Sequence, residues 1–126
     1  MENYIVPATK YTPRIELHFN DKYLRIEGDS WPENAMEFYQ PLFFKLDEYF
    51  SFEGQSLNID LFMDFINTSS SKMIDDMVKK LQSFFQKGHE IKLQWFYPEG
   101  DMDCKDKFET LLEDAQFPYA VTELKE

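Results

Sequence analysis

The chain reads as an α/β two-layer sandwich, with a mixed sheet of about five strands and helices mainly on one face. Three observations predict it. Segments with apolar residues at every second position alternate with segments of helical apolar spacing, in the order ββα-βα-βα-β. Helices between the later strands make those strands parallel, because parallel neighbours need a crossover connection. The strands alternate apolar and polar residues instead of running apolar throughout, so one face meets the helices and the other is largely polar.

Each element follows in order. Residues 1–13 carry Pro7 and Pro13 with little periodicity and read as an extended N-terminal arm. "RIELHF" (14–19) sets Ile15, Leu17 and Phe19 against Arg14, Glu16 and His18. "YLRIEG" (23–28) sets Leu24 and Ile26 against Tyr23, Arg25 and Glu27. The polar "NDK" between them makes the pair a β-hairpin. In "GDSWPEN" (28–34), Asp29 or Ser30 suits a helix cap and Pro32 the first helical turn. Helix is expected from about Pro32 to Phe50, kinked or split at Pro41, whose ring removes a backbone bond. "LNIDLFMDFI" (57–66) alternates again, with Phe65 on the apolar side with Leu57, Ile59, Leu61 and Met63. Met73, Ile74, Met77, Val78, Leu81, Phe84 and Phe85 follow helical spacing, which Gly88 ends. "EIKLQWFY" (90–97) reads as a strand, residues 101–116 as a helix with acids at its start, and "YAVTEL" (119–124) as a last short strand.

One domain, residues 1–126, is expected from length. A net charge of −11 argues against nucleic acid and anionic membrane surfaces, whose binding rests on cationic contacts. No apolar run reaches transmembrane length. "MENYIVPATK" has neither the basic nor the apolar region of a signal peptide, so the expected address is the cytoplasm. Cys104 is the single cysteine and has no internal disulfide partner. His18 and His89 fall at polar strand or turn positions and read as exposed. "EGDMDCKD" begins like a calcium loop, but lacks the loop glycine and has Leu112 at the twelfth position. Gly28, Gly54, Gly88 and Gly100 are isolated, with no phosphate-binding fingerprint. No cofactor or metal is expected.

The distinctive stretch is "DFINTSSSKMIDDM" (64–77), with four consecutive hydroxyl residues from Thr68 to Ser71. Asn67 or Thr68 suits the helix cap, a role worth about 1 kcal/mol. At about 100° per residue, Ser69 and Ser70 lead inward toward Met73 and Ile74. Thr68 leads outward toward Lys72 and Asp75, with Ser71 on a neighbouring line. Thr68 is thus the candidate phosphorylation site, since a phosphate at a helix N-terminus meets free N–H groups and a favourable dipole. Asn67, Ser71, Lys72 and Asp75 are the expected surroundings of that switch. Ser30, Trp31, Pro32, Glu33 and Asn34 form a candidate partner surface, because aromatics are enriched at interfaces. Two other readings stand beside this one. A small enzyme or ligand-binding domain would use Asp60 and Asp64 near the "GDSWPEN" loop and would show an enclosed pocket. A dimerisation module would expose Phe62 or Phe96 on the polar sheet face.

"PATKYTPRI" (7–15), "GDSWPEN" (28–34), "INTSSSK" (66–72) and "FPYAV" (117–121) together resemble the SiaC-type biofilm-regulation phosphoproteins, a branch with the STAS or anti-sigma-factor-antagonist fold. The resemblance implies a bacterial partner-switching protein in signal transduction, not an enzyme. In that family the threonine of the N-T-S-S stretch, here Thr68, is phosphorylated by a dedicated protein kinase and dephosphorylated by a PP2C-like phosphatase. The unphosphorylated form engages an effector, a diguanylate cyclase in the best-known systems of cyclic-di-GMP signalling. Ser69 and Ser70 are not carried over as phosphorylation sites.

Overall fold

In the computed structural model, which describes residues 1–125, six strands lie in one sheet in the order in which the chain makes them. They are β1 (Tyr4–Val6), β2 (Arg14–His18), β3 (Tyr23–Glu27), β4 (Ser56–Phe62), β5 (Glu90–Pro98) and β6 (Tyr119–Leu124). The first two pairings are antiparallel and the next three parallel. Helices α1 (Ala35–Tyr49), α2 (Thr68–Gln86) and α3 (Met102–Leu112) are the parallel crossovers. Every crossover advances one strand in the same direction. With the right-handed turn such units take, all three helices fall on one face, as the alternation of the strands requires.

Burial follows the same division. Ile15, Leu17, Leu24, Ile26, Leu57, Ile59, Leu61, Ile91, Leu93 and Trp95 are buried under the helices. Glu16, Arg25, Asp60 and Gln94 run across the open face in register. There Phe62 stacks on Phe96 at 4.5 Å, and the Arg25 guanidinium sits 4.2 Å from the Phe62 ring. In the core, Trp95 stacks on Phe108 at 3.8 Å, which fastens α3 to the sheet.

The sixth strand is the first correction. The segment read as an extended arm contains β1, paired Tyr4 to Leu17 and Val6 to Ile15. Three residues between a terminus and Pro7 are too few to show a period. Helix α1 is the second. It starts after Asn34, whose Oδ1 accepts the Glu37 N–H at 3.0 Å, so neither Asp29 nor Ser30 is the cap. It then runs unbroken through Pro41 to Tyr49. Pro41 is exposed, so water can take the Glu37 carbonyl that the missing N–H releases. His89 is the third. It is buried against Phe50, and its Nδ1 accepts the Gln55 N–H at 3.1 Å.

Candidate functional site

The site begins where β4 ends. The strand stops at Phe62, earlier than the alternation suggests, and residues 63–67 cross to α2 beside the "GDSWPEN" loop. Three backbone bonds and one from a side chain tie the two segments. Gly28 N–H donates to Phe62 O, Ser30 N–H to Phe65 O, Asn67 N–H to Ser30 O, and Asn67 Nδ2 to Pro32 O at 3.5 Å. Gly28 holds φ +121°, and a Cβ there would lie 3.3 Å from Pro13 Cα, so the loop departs from β3 at a place only glycine fits. Ser30 and Ile66 form a parallel bridge that resets the alternation. Ile66 turns into the core in place of Phe65, which is 54% exposed instead of buried as its strand phase suggested.

Asn67 is the cap of α2. Its Oδ1 accepts the Ser70 N–H at 2.9 Å and the Ser69 hydroxyl at 3.2 Å. Thr68 is therefore the first helical residue, exposed as its phase predicts and free of the capping role. Among the described residues no hydrogen bond engages its hydroxyl. The amides of Thr68 and Ser69 have no acceptor inside the helix, and the first turn carries no acid.

Of the other three hydroxyls, two depart from expectation. Ser70 is fully buried, as its phase requires. Ser69 is exposed, not inward, and the Ser71 Oγ is buried without a partner among the described residues, not part of the surface beside Thr68. The buried stripe runs from Met73 to Val78 on either side of Ser70 and Met77. At about 100° per residue, Ser71 falls closer to its centre than Ser69 by roughly 20°. Lys72 pairs with Asp76 at 3.7 Å and Asp75 with Lys79 at 3.0 Å. These charges are exposed and directed along the helix, and such pairs are weak, so Lys72 keeps freedom to turn toward Thr68.

The candidate partner surface is also redrawn. Ser30 is buried, with its Oγ 2.6 Å from the Tyr39 hydroxyl and 2.8 Å from Ser70 Oγ. Burial pushes the Tyr39 phenol up to about 12, against the lowering effect of the Ser30 hydrogen bond. Pro32 is buried too. Trp31, Glu33 and Asn34 are exposed, Asn34 as the cap of α1. Trp31 stands edge-on to Tyr11 at 4.6 Å and to Phe65 at 6.4 Å, and its backbone N–H donates to the carbonyl of Tyr11. Tyr11 and Phe65 were missed because one sits in a segment without period and the other in a misplaced phase. Thr9, Tyr11, Thr12, Trp31, Pro32 and Glu33 line an open groove of about 570 Å³ beside this aromatic row.

Asp60 and Asp64 do not converge. Asp60 accepts the Tyr23 hydroxyl at 2.8 Å on the open sheet face, whereas Asp64 is exposed on the loop before α2. Partial desolvation of its carboxyl by the neighbouring loop, then the charges of Asp29 and Asp101, raise Asp64 above the ordinary aspartate range. Among the described residues no group of three His, Cys, Asp or Glu side chains is placed to hold a metal, and no helix is long and apolar enough to cross a membrane.

Residues 6–124 match the model of the SiaC family of regulatory phosphoproteins. The fold is similar to SiaC of Pseudomonas aeruginosa, with a TM-score of 0.90 and 28% identity over 98% of this chain and 100% of that one. A chain in the crystal structure of the diguanylate cyclase SiaD in complex with its activator SiaC, from the same organism, gives a TM-score of 0.92 at 28% identity. That match covers 96% of this chain and 99% of that one. An uncharacterized protein of Pseudomonas aeruginosa strain UCBPP-PA14 is 29% identical over 121 residues, 96% of each chain.

Proposed function

The chain belongs to the SiaC family of regulatory phosphoproteins, and from that membership we propose that it is a partner-switching protein set by reversible phosphorylation of Thr68. It acts as one regulatory domain in the cytoplasm, without catalysis of its own. A protein kinase adds the phosphate, a PP2C-like phosphatase removes it, and the unphosphorylated form binds an effector. The Pseudomonas complex, in which SiaC is the activator of the diguanylate cyclase SiaD, supports a diguanylate cyclase as that effector.

The observation that carries the reading is the division of labour at the start of α2. Asn67 caps the helix, which leaves the Thr68 hydroxyl exposed and unengaged at its first position. A phosphate there meets the positive end of the helix dipole, worth roughly 0.3–2 kcal/mol. Repulsion from Asp64, Asp75 and Asp76 opposes it and is screened by solvent. The two terms are of similar size, so the fold survives. The surface beside Trp31 and Phe65 meanwhile gains about −1.5 to −2 charges. An apolar contact made there by the effector would have to bury that charge, and so it breaks.

Two measurements test this. Intact-mass analysis of protein from its native host should find a phosphate on Thr68 in some growth condition. Its complete absence across conditions would sink the proposal. Effector capture with Thr68→Asp should fall at least tenfold while the melting temperature barely moves.

A further inference from the structure

The two edges of the sheet are built differently. β1 offers three residues and is followed by Pro7, a blunt edge. β6 is six residues long, contains no proline and, among the described residues, pairs only with β5. Leu93 stands opposite Tyr119, and its N–H donates to Pro118 O at 3.1 Å. In a parallel ladder this turns the backbone groups of Ala120 and Thr122 toward β5, and those of Tyr119, Val121 and Glu123 outward. These outward groups have no backbone partner among the described residues.

Beside the edge, between α3 and β6, lies a groove of about 530 Å³. Asp106 and Glu109 line it from α3, Glu113 from the C-cap of that helix, and Tyr119, Ala120 and Val121 from β6. Spacings of three and four residues put the three acids on one helix face. Lys105 holds Glu109 at 2.9 Å, while Asp106 and Glu113 meet no cation among the described residues.

We infer that β6 accepts an extended basic segment of a partner protein as a seventh strand, with Lys or Arg at alternate positions facing the acids of α3. Main-chain bonds to a free edge supply the affinity of such strand addition, and alternate side chains supply its specificity. Charge selects the occupant. Pairing two copies through β6 would bring two of these acidic grooves together in a chain of net charge −11, whereas a basic strand neutralises one. This surface is independent of the Thr68 reading.

The probe is a synthetic heptapeptide of alternating Lys and Val, titrated into the full chain at low salt. Binding should slow amide exchange at Tyr119, Val121 and Glu123. An alternating Glu-Val peptide, and the Lys-Val peptide N-methylated at alternate backbone amides, should each bind at least tenfold more weakly. The double substitution Asp106→Lys with Glu113→Lys, on an exposed helix face, should weaken the Lys-Val peptide by a similar factor. Equal binding of the N-methylated peptide, or protection of amides elsewhere than on β6, overturns the inference. A concentration-dependent dimer that protects the same three amides overturns the choice of occupant.

Discussion

Ser30 and Ser70 stand forty residues apart in sequence, and their Oγ atoms lie 2.8 Å apart in the core. Ser30 is in the "GDSWPEN" loop and Ser70 in the first turn of α2, so this bond joins the loop carrying Trp31 to the helix carrying Thr68. The Tyr39 hydroxyl, 2.6 Å from Ser30, extends the chain into α1. Ser30 is the central member, and the expected costs follow from that. Ser70→Ala leaves the Ser30–Tyr39 bond intact and should cost about 1 kcal/mol. Ser30→Ala leaves two buried hydroxyls unpaired and should cost roughly 2–3 kcal/mol. Urea denaturation of the two variants checks the order. Equal, small costs would mean that water already satisfies the three hydroxyls.

The capping assignment separates two neighbours. Asn67→Ala removes the acceptor of the Ser70 N–H and should cost about 1 kcal/mol. Thr68→Ala removes an exposed hydroxyl without partners and should change stability by less than about 0.5 kcal/mol. Thermal melts should therefore show a drop for the first and almost none for the second. A large drop for Thr68→Ala would return the capping role to the threonine and weaken the switch.

What was legible in the sequence depended on how local its cause was. The alternation of 14–19, 23–28 and 90–97 gave the strands and their buried face, because period two is a property of the strand itself. Helical phase likewise exposed Thr68 and buried Ser70. Phe65 went wrong because a long-range bridge between Ser30 and Ile66 resets the phase after Phe62, and nothing in 57–66 announces it. Ser30 looked like a surface cap because its partners, Tyr39 and Ser70, come from two later helices. The aromatic row of Tyr11, Trp31 and Phe65 draws on three separate segments and exists only in the fold.

Asp64 gives the site a signature in pH. Its folded-state pKa is raised, first by partial desolvation of the carboxyl and then by Asp29 and Asp101. Between the unfolded and folded values the native state holds a proton that the unfolded chain has lost. The contribution of Asp64 to stability is therefore greatest below the unfolded value and falls as pH rises through the folded one. Asp64→Asn removes the charge that creates this penalty. The variant should melt above the wild type at pH 7 and level with it at pH 3, in parallel calorimetric scans. A gain of the same size at both pH values would trace the effect to packing instead of charge.

Cys104 closes the same corner from α3. Its sulfur lies 3.2 Å from the carbonyl oxygen of Asp64 and 3.1 Å from Asp101 Oδ2, two acceptors that share its single S–H. Burial, the Asp101 hydrogen bond and the charges of Asp101 and Asp64 push the thiol up to about 12. The thiolate is the reactive form, so iodoacetamide at pH 8 should modify the native protein roughly a hundredfold more slowly than the urea-unfolded chain. Asp101 also caps α3 by accepting the Cys104 N–H at 3.1 Å, and asparagine caps about as well. Asp101→Asn should therefore keep the helix and raise the native alkylation rate by removing the anion beside the sulfur. A native rate equal to the unfolded one would show that the thiol is not held. The slow rate would instead mark Cys104 as a clasp on the loop that delivers Thr68, unsuited to redox sensing.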